Sequence, residues 1–166
     1  MKPGVHRTFV LTSAAETSRF ARTLAPALGP GDTILLQGGL GAGKTHFARA
    51  LIQARLDAAG LAEDVPSPTF TLVQTYDDGK AELWHSDLYR LSTPDEVVEL
   101  GLEDAFSSAI CLVEWPDRLG DLTPGGALVL SFEMTETPGM RIVTATAADP
   151  RWAALLDRFV PEAGNA

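Results

Sequence analysis

A chain of 166 residues, 45% hydrophobic and 21% charged, suits one soluble domain that buries about two-thirds of its unfolded surface. Its 13 Lys and Arg against 22 Asp and Glu leave a formal charge of −9, the wrong sign for a free-standing nucleic-acid binder, which needs a basic face. One cysteine, Cys111, excludes a disulfide framework and a cysteine-based zinc site, and no run approaches the roughly 20 apolar residues of a membrane span.

Residues 7–11 (Arg-Thr-Phe-Val-Leu) read as a short strand. Ser13 and Glu16 have the spacing of a capping box, and Phe20, Leu24 and Leu28 then recur at helical spacing until Gly29, Pro30 and Gly31 stop the helix. Thr33 to Leu36 is a brief apolar run suited to a buried strand. It leads into a glycine-rich turn, Gly38 to Gly43, and then a helix from Lys44 to Ala58 with Phe47, Leu51 and Ala54 inward. Two prolines exclude regular helix at 66–70. Leu72–Tyr76 and Lys80–Trp84 read as a hairpin turned at Asp78-Gly79. Thr93-Pro94-Asp95-Glu96 opens a short helix with a second capping box. Ala109 to Val113 is a further apolar strand ending at Glu114-Trp115-Pro116. Ala127–Phe132 and Arg141–Ala145 form a second hairpin, and Pro150–Phe159 a terminal helix. Strands and helices alternate, which predicts a three-layer α/β domain whose hairpins make the sheet mixed.

The sharpest feature is Gly38-Gly39-Leu40-Gly41-Ala42-Gly43-Lys44-Thr45, which fits G-x-x-x-x-G-K-[ST]. Backbone N–H groups wrap a phosphate chain only where side chains do not obstruct them, and glycine permits the positive φ of a sharp turn. The helix that follows points its positive end at the phosphates. Gly39, Leu40, Gly41, Ala42, Gly43, Lys44 and Thr45 are the candidate nucleotide-binding residues. Lys44 is expected to reach the β- and γ-phosphates and Thr45 to offer its hydroxyl to Mg²⁺. An acidic protein can hold an anionic nucleotide in this way, because the local field comes from the loop and not from net charge.

Such a loop needs a second metal-positioning group, normally an acid at the end of a neighbouring strand. Glu114 occupies that place, as a ligand of Mg²⁺ or the group that orients attacking water. Asp87 is a second candidate of the same kind, with a turn cap before Leu88-Tyr89-Arg90 as its structural alternative. Thr69, in an extended segment set by Pro66 and Pro68 before it, stands where a switch loop would sense a γ-phosphate, with a rigid turn as the structural alternative. Trp115 is placed to pack over the site or in the core. Cys111 reads as a small core residue. The guanine-reading Asn-Lys-x-Asp signature is absent.

Taken together, Gly-Gly-Leu-Gly-Ala-Gly-Lys-Thr (38–45), Ser-Pro-Thr-Phe-Thr-Leu-Val (67–73), His-Ser-Asp-Leu-Tyr-Arg-Leu (85–91) and Ile-Cys-Leu-Val-Glu-Trp-Pro (110–116) resemble the TsaE (YjeE) family of small bacterial P-loop ATPases. The resemblance covers about residues 33–120, with the flanks similar only in pattern and length. It implies a P-loop NTPase-like fold with a mixed, mainly parallel sheet plus antiparallel hairpins, residues 1–166 forming one ATPase domain. It also implies ATP and Mg²⁺ as cofactors and a role in placing threonylcarbamoyl on adenosine 37 of tRNAs that read codons beginning with A. In that family the modification is made by a TsaD–TsaB pair, and the TsaE-like member docks on the pair and hydrolyses ATP to permit repeated turnover. Carried over, Lys44, Glu114 and Asp87 are catalytic, Thr45 and Glu114 hold the metal, and Thr69 and Trp115 are linked to switching or to the partner. Gly39 departs from the acidic residue often found there, at a position expected to face away from the phosphates. The region around Thr17 is a candidate for nucleotide contact. Residues alone leave open a small-molecule kinase, although Arg90, Arg118 and Arg141 form no arginine-rich lid, and a nucleotide-gated binding module. A cytoplasmic location, no membrane and no direct nucleic-acid contact are expected.

Overall fold

The computed structural model describes residues 4–61, 63–68 and 71–161. Ser13 caps the first helix as its sequence predicts: its hydroxyl accepts the Glu16 N–H at 3.1 Å. The strand before it is β1 (Val5–Leu11) and the helix α1 (Ala14–Leu24). The buried run and the phosphate-loop helix become β2 (Thr33–Gly38) and α2 (Lys44–Ala58), the latter with the expected ends. The first hairpin is β3 (Val73–Asp77) with β4 (Glu82–Asp87). Two short helices, α3 (Pro94–Glu99) and α4 (Leu102–Ser108), lead to β5 (Ile110–Glu114). The second hairpin is β6 (Leu128–Met134) with β7 (Arg141–Ala147), and α5 (Trp152–Leu156) follows.

The seven strands form one sheet in the order β1-β7-β6-β2-β5-β4-β3. Its centre, β6-β2-β5-β4, is parallel, and both hairpins and β1 add antiparallel pairs at the edges. Alternation along each strand sends side chains to two cores. Ile34, Leu36, Leu83, Ile110 and Leu112 join Phe20, Phe47, Leu51 and Trp152 beneath α1, α2 and α5. Leu35, Cys111 and Val113 join Leu88, Val97, Leu102 and Leu119 on the other face. Helices therefore cover both faces, and every residue of β5 is buried, as a central parallel strand requires. The architecture is the three-layer α/β arrangement with the mixed sheet that the sequence predicts.

Several local details differ from the sequence reading. The first hairpin closes with a four-residue loop, 78–81, not a two-residue turn at Asp78-Gly79: Asp78 N–H donates to the Ala81 carbonyl at 3.2 Å. Its cause is the buried Asp78 carboxylate, which is drawn inward to Arg55 Nε at 2.7 Å. Thr93 makes no side-chain cap on α3; the Glu96 carboxylate instead accepts the Ser92 N–H at 3.2 Å. α4 had no distinct sequence signal, and Gly101 (φ +83) is what ends α3 and lets α4 start in a new direction. The terminal helix is shorter than 150–159, because Phe159 leaves it to pack edge-on against Phe9 and Phe20. No helix among the described residues is long and apolar enough to cross a membrane.

Arg55 ties three elements together. Besides Asp78 it donates to the carbonyls of Ala25 and Leu28 at 2.8 and 2.9 Å, joining α2 to the turn after α1 and to the β3–β4 loop. Burial opposes ionisation of Asp78, but the N–H groups of Lys80 and Ala81 and the Arg55 guanidinium hold its carboxyl below the ordinary 3.8. This stabilisation is whole at neutral pH and is lost as the pH falls through that lower value. Asp78→Ala is expected to cost about 3–5 kcal/mol at pH 7, since it leaves a buried guanidinium unpaired. Urea unfolding across pH should show the gap to wild type narrowing below about pH 4. Burial also pushes the Cys111 thiol up to about 12, so a disulfide-exchange reagent at pH 8 should label Cys111 only once denaturant unfolds the chain.

Candidate functional site

The loop between β2 and α2 is shaped by two glycines. Gly38 has φ +142, and a Cβ there would lie 2.6 Å from the Phe132 carbonyl oxygen, so β2 can leave the sheet beside β6 only with glycine at that point. Gly43, at φ +107, is the N-cap of α2 and offers no side-chain cap. The first N–H groups of any helix have no intrahelical partners, and the first residues of this 15-residue helix, Lys44, Thr45 and His46, line the cleft beside the loop. A Cβ at Gly39 would meet nothing within 4 Å, and its carbonyl accepts the Ala42 N–H at 3.2 Å.

Arg141, at the start of β7, holds the loop from outside. Its Nε donates to the Ala42 carbonyl at 2.8 Å and its Nη2 to the Gly41 carbonyl at 3.1 Å. In a trans peptide the N–H points opposite to the C=O. Pinning the Ala42 oxygen to Arg141 therefore directs the Gly43 N–H the other way.

Lys44 is almost fully buried. Its ammonium donates to the Gly38 carbonyl at 2.6 Å and lies 3.5 Å from the centroid of the Trp115 ring. Burial holds it below the ordinary 10.5, against the opposing pull of Glu114, Asp87 and Asp117. A cation kept out of water in this way gains from any anion that enters the cleft.

The acids come from the parallel centre of the sheet. Glu114 pairs in register with Leu36 of β2 on one side and Asp87 of β4 on the other, so the two carboxylates end adjacent strands side by side. Glu114 is 2% exposed. Its oxygens lie 2.7 and 2.9 Å from the Thr45 hydroxyl, and Oε2 lies 2.7 Å from His85 Nε2. Asp87 Oδ1 accepts the Tyr89 N–H at 3.0 Å, so Asp87 caps a turn and also lines the cleft. Trp115 takes a left-handed conformation (φ 58) that swings it off β5 and over Lys44, where it packs on Tyr89 at 4.7 Å.

These groups enclose a cleft of about 400 Å³ lined by the loop, Lys44, Thr45, Asp87, Glu114 and Trp115. Thr17, Gly139 and Arg141 line it as well. Every sequence-predicted site residue from Leu40 to Thr45 lines it, together with both acids and Trp115; Gly39 lies in the loop itself. Thr69 lies outside the described residues.

The model of the family described as "Threonylcarbamoyl adenosine biosynthesis protein TsaE" matches residues 11–142, most of the chain. The chain belongs to the TsaE family. It is 39% identical over 127 residues to the tRNA threonylcarbamoyladenosine biosynthesis protein TsaE of Rickettsia bellii, covering 76% of this chain and 86% of that one. To the protein of the same name from Bacillus subtilis it is 35% identical over 145 residues, 87% of each chain. The crystal structure of Bacillus subtilis YdiB is similar in fold at a TM-score of 0.76 and 28% identity, covering 95% of this chain and 98% of that one. The likeness thus reaches beyond the 33–120 that the motifs span and takes in α1 and Arg141.

Among the site residues that escaped sequence reading are Arg141 and His85. Arg141 stood among scattered arginines, since nothing in the order of residues says that β7 begins beside the loop. His85 was quoted only as part of a motif, yet its place two residues before Asp87 on a strand puts both on one face, and that was the available signal. Charge-assisted hydrogen bonds of the kind Arg141 makes contribute about 1.5–3 kcal/mol each when shielded from water, less at this partly open position. Arg141→Ala is expected to speed amide hydrogen exchange across 39–45 by about tenfold, equivalent to about 1.4 kcal/mol, with β2 and β5 unaffected; mass spectrometry of peptic fragments measures it.

Proposed function

We propose that this chain is a Mg²⁺-dependent ATP hydrolase that serves threonylcarbamoyladenosine formation at adenosine 37 of tRNAs reading codons that begin with A, and that it works docked on the TsaD–TsaB pair. Membership of the TsaE family supports the pathway. The observation that carries the chemistry is the convergence of Lys44, Thr45, Glu114 and Asp87 on one cleft at a phosphate loop.

The donor set fits a nucleotide with its metal. Thr45 and Glu114 supply a hydroxyl and a carboxylate already in contact, and hard oxygen donors suit Mg²⁺. Among the described residues no three His, Cys, Asp or Glu gather to hold a metal alone. That matches Mg²⁺, which is ordinarily bound by one or two protein groups together with substrate phosphates and water. When bound, the ion would neutralise charge developing on the phosphate oxygens.

The chain's own residues do the rest. The loop amides and the start of α2 bind phosphate oxygens. Lys44, desolvated and aimed by Gly38 and Trp115, supplies the positive charge that a loose phosphoryl-transfer transition state needs. Glu114 and Asp87 are the carboxylates able to orient a water in line with the γ-phosphate. Trp115 and Tyr89 cover the cleft and limit access of other water. The acidic surface suits a protein partner and leaves RNA contact to that partner.

Phosphate release with TsaD, TsaB, tRNA and ATP tests the proposal. Lys44→Ala is expected to abolish nucleotide binding. Glu114→Gln is expected to keep ATP bound but lower turnover at least 100-fold. Asp87→Asn should cut turnover while leaving the Mg²⁺ midpoint unchanged if it orients water and Glu114 holds the metal. Normal hydrolysis by Glu114→Gln, or phosphate recovered on a small-molecule acceptor, would sink the assignment, and a rate unaffected by TsaD–TsaB would remove the partner.

A further inference from the structure

A buried imidazole lies beneath Glu114. His85 is 0% exposed. It sits in register with Leu112, two pairs back from Asp87 and Glu114, and so on the same face of the sheet. On that face it is paired with Leu112 of β5 and Gln74 of β3, and Leu83, Leu112 and Ile34 make the layer mostly apolar. An apolar side chain would be the ordinary occupant, since burying an imidazole costs desolvation. Its Nδ1 finds no hydrogen-bond partner among the described residues. What it gains is one contact, Nε2 to Glu114 Oε2 at 2.7 Å.

That contact fixes something Thr45 does not. A hydroxyl carries one proton, and the Thr45 Oγ1 straddles both Glu114 oxygens at nearly equal distances, 2.7 and 2.9 Å. It holds the carboxylate near α2 without selecting its rotation. His85 touches Oε2 alone and breaks the symmetry. A carboxylate accepts only, so Nε2 carries the proton and donates. Oε2 is then committed to β4, and Oε1 is the oxygen presented to Thr45. Thr45 comes from the loop helix and His85 from a strand, so two rigid elements grip one carboxylate from opposite sides.

We infer that His85 is the positioning residue of Glu114, locking the carboxylate plane so that Oε1 and the Thr45 hydroxyl form one pre-set pair of oxygen ligands for a divalent cation. The inference rests on the metal-nucleotide reading of the cleft. It assigns His85 no contact with substrate and no proton transfer. Partners that orient a metal-binding carboxylate from behind typically govern 10–100-fold in metal affinity or activity.

The test uses the whole chain with Mn²⁺ as a paramagnetic probe and ADP as nucleotide. Free Mn²⁺ is followed by electron paramagnetic resonance, and ADP affinity is measured separately in EDTA. His85→Leu keeps the apolar layer but removes the donor. It is expected to weaken Mn²⁺ binding in the ADP complex by about 10–100-fold, with metal-free ADP affinity and thermal midpoint at least as high as wild type. His85→Gln, whose amide nitrogen can reach the place of Nε2, is expected to restore most of the affinity, and His85→Asn, which is shorter, is not. Wild-type Mn²⁺ affinity in His85→Leu would overturn the inference. Should His85→Leu fail to fold, the Gln and Asn variants carry the test, and equal affinities for those two would overturn it. Wild-type protein that binds Mn²⁺ with ADP yet releases no phosphate from ATP would refute the hydrolase reading while leaving the His85 comparison decisive. Absence of metal binding by the wild type would refute both.

Discussion

A buried carboxylate at the end of a central parallel strand is the constraint around which this molecule is arranged. Stripping Glu114 of water costs several kcal/mol unless its lone pairs are met. The sheet order meets them. β5 lies between β2 and β4, in a register that sets Glu114 level with Leu36 and Asp87. From β2 the chain turns through the glycine loop straight into α2, which delivers Thr45 to the carboxylate. From β4 comes His85. Lys44, one residue before Thr45, lies in the field of the same acid. Moving any of these strands one place in the sheet would leave Glu114 buried without partners. Register here is therefore electrostatic as well as hydrophobic.

The two halves of the sheet divide the work. On one side of β2, the β6–β7 hairpin supports the loop mechanically: Phe132 crowds Gly38, packs on Phe47 at 5.7 Å between ring centroids, and is followed by Arg141 on the loop carbonyls. On the other side, β5 and β4 bring the acids and the imidazole. The loop lies where these halves meet. Antiparallel pairing suits the supporting half because a hairpin returns quickly to the same end of the sheet. Parallel pairing suits the chemical half because it aligns strand ends, and with them the side chains just leaving the sheet.

Local chemistry was legible wherever a residue's role depends on its neighbours in sequence. The Ser13 cap, the glycine loop, the ends of α2 and the strand-end acids all follow from spacing and side-chain type. What was not legible depends on partners brought from afar. Asp78-Gly79 has the signature of a tight turn, but Arg55, 23 residues earlier, pulls Asp78 inward and opens the loop. Phe159 continues a helical pattern, yet two phenylalanines of the opposite end of the chain draw it out. Arg141 is one arginine among several until β7 is known to begin beside the loop. Trp115 could be read as core or as site, and a left-handed backbone at that single residue places it over Lys44. In each case a tertiary contact overrode a local preference, as contacts of a few kcal/mol do against propensities of about one.

Net charge and local field point in opposite directions, and the structure explains why they do not conflict. At physiological salt the Debye length is about 8 Å, so exposed carboxylates spread over the surface are largely screened from the cleft. Inside it, Lys44 is removed from water, which strengthens its interactions in proportion as solvent is lost. The helix end and the loop amides add fixed positive potential that no count of side chains records. Glu114 and Asp87 offset that potential and keep Lys44 from being an isolated buried cation. Such a site is close to balance on its own, and an anion entering with a divalent cation can join it without leaving a large uncompensated charge.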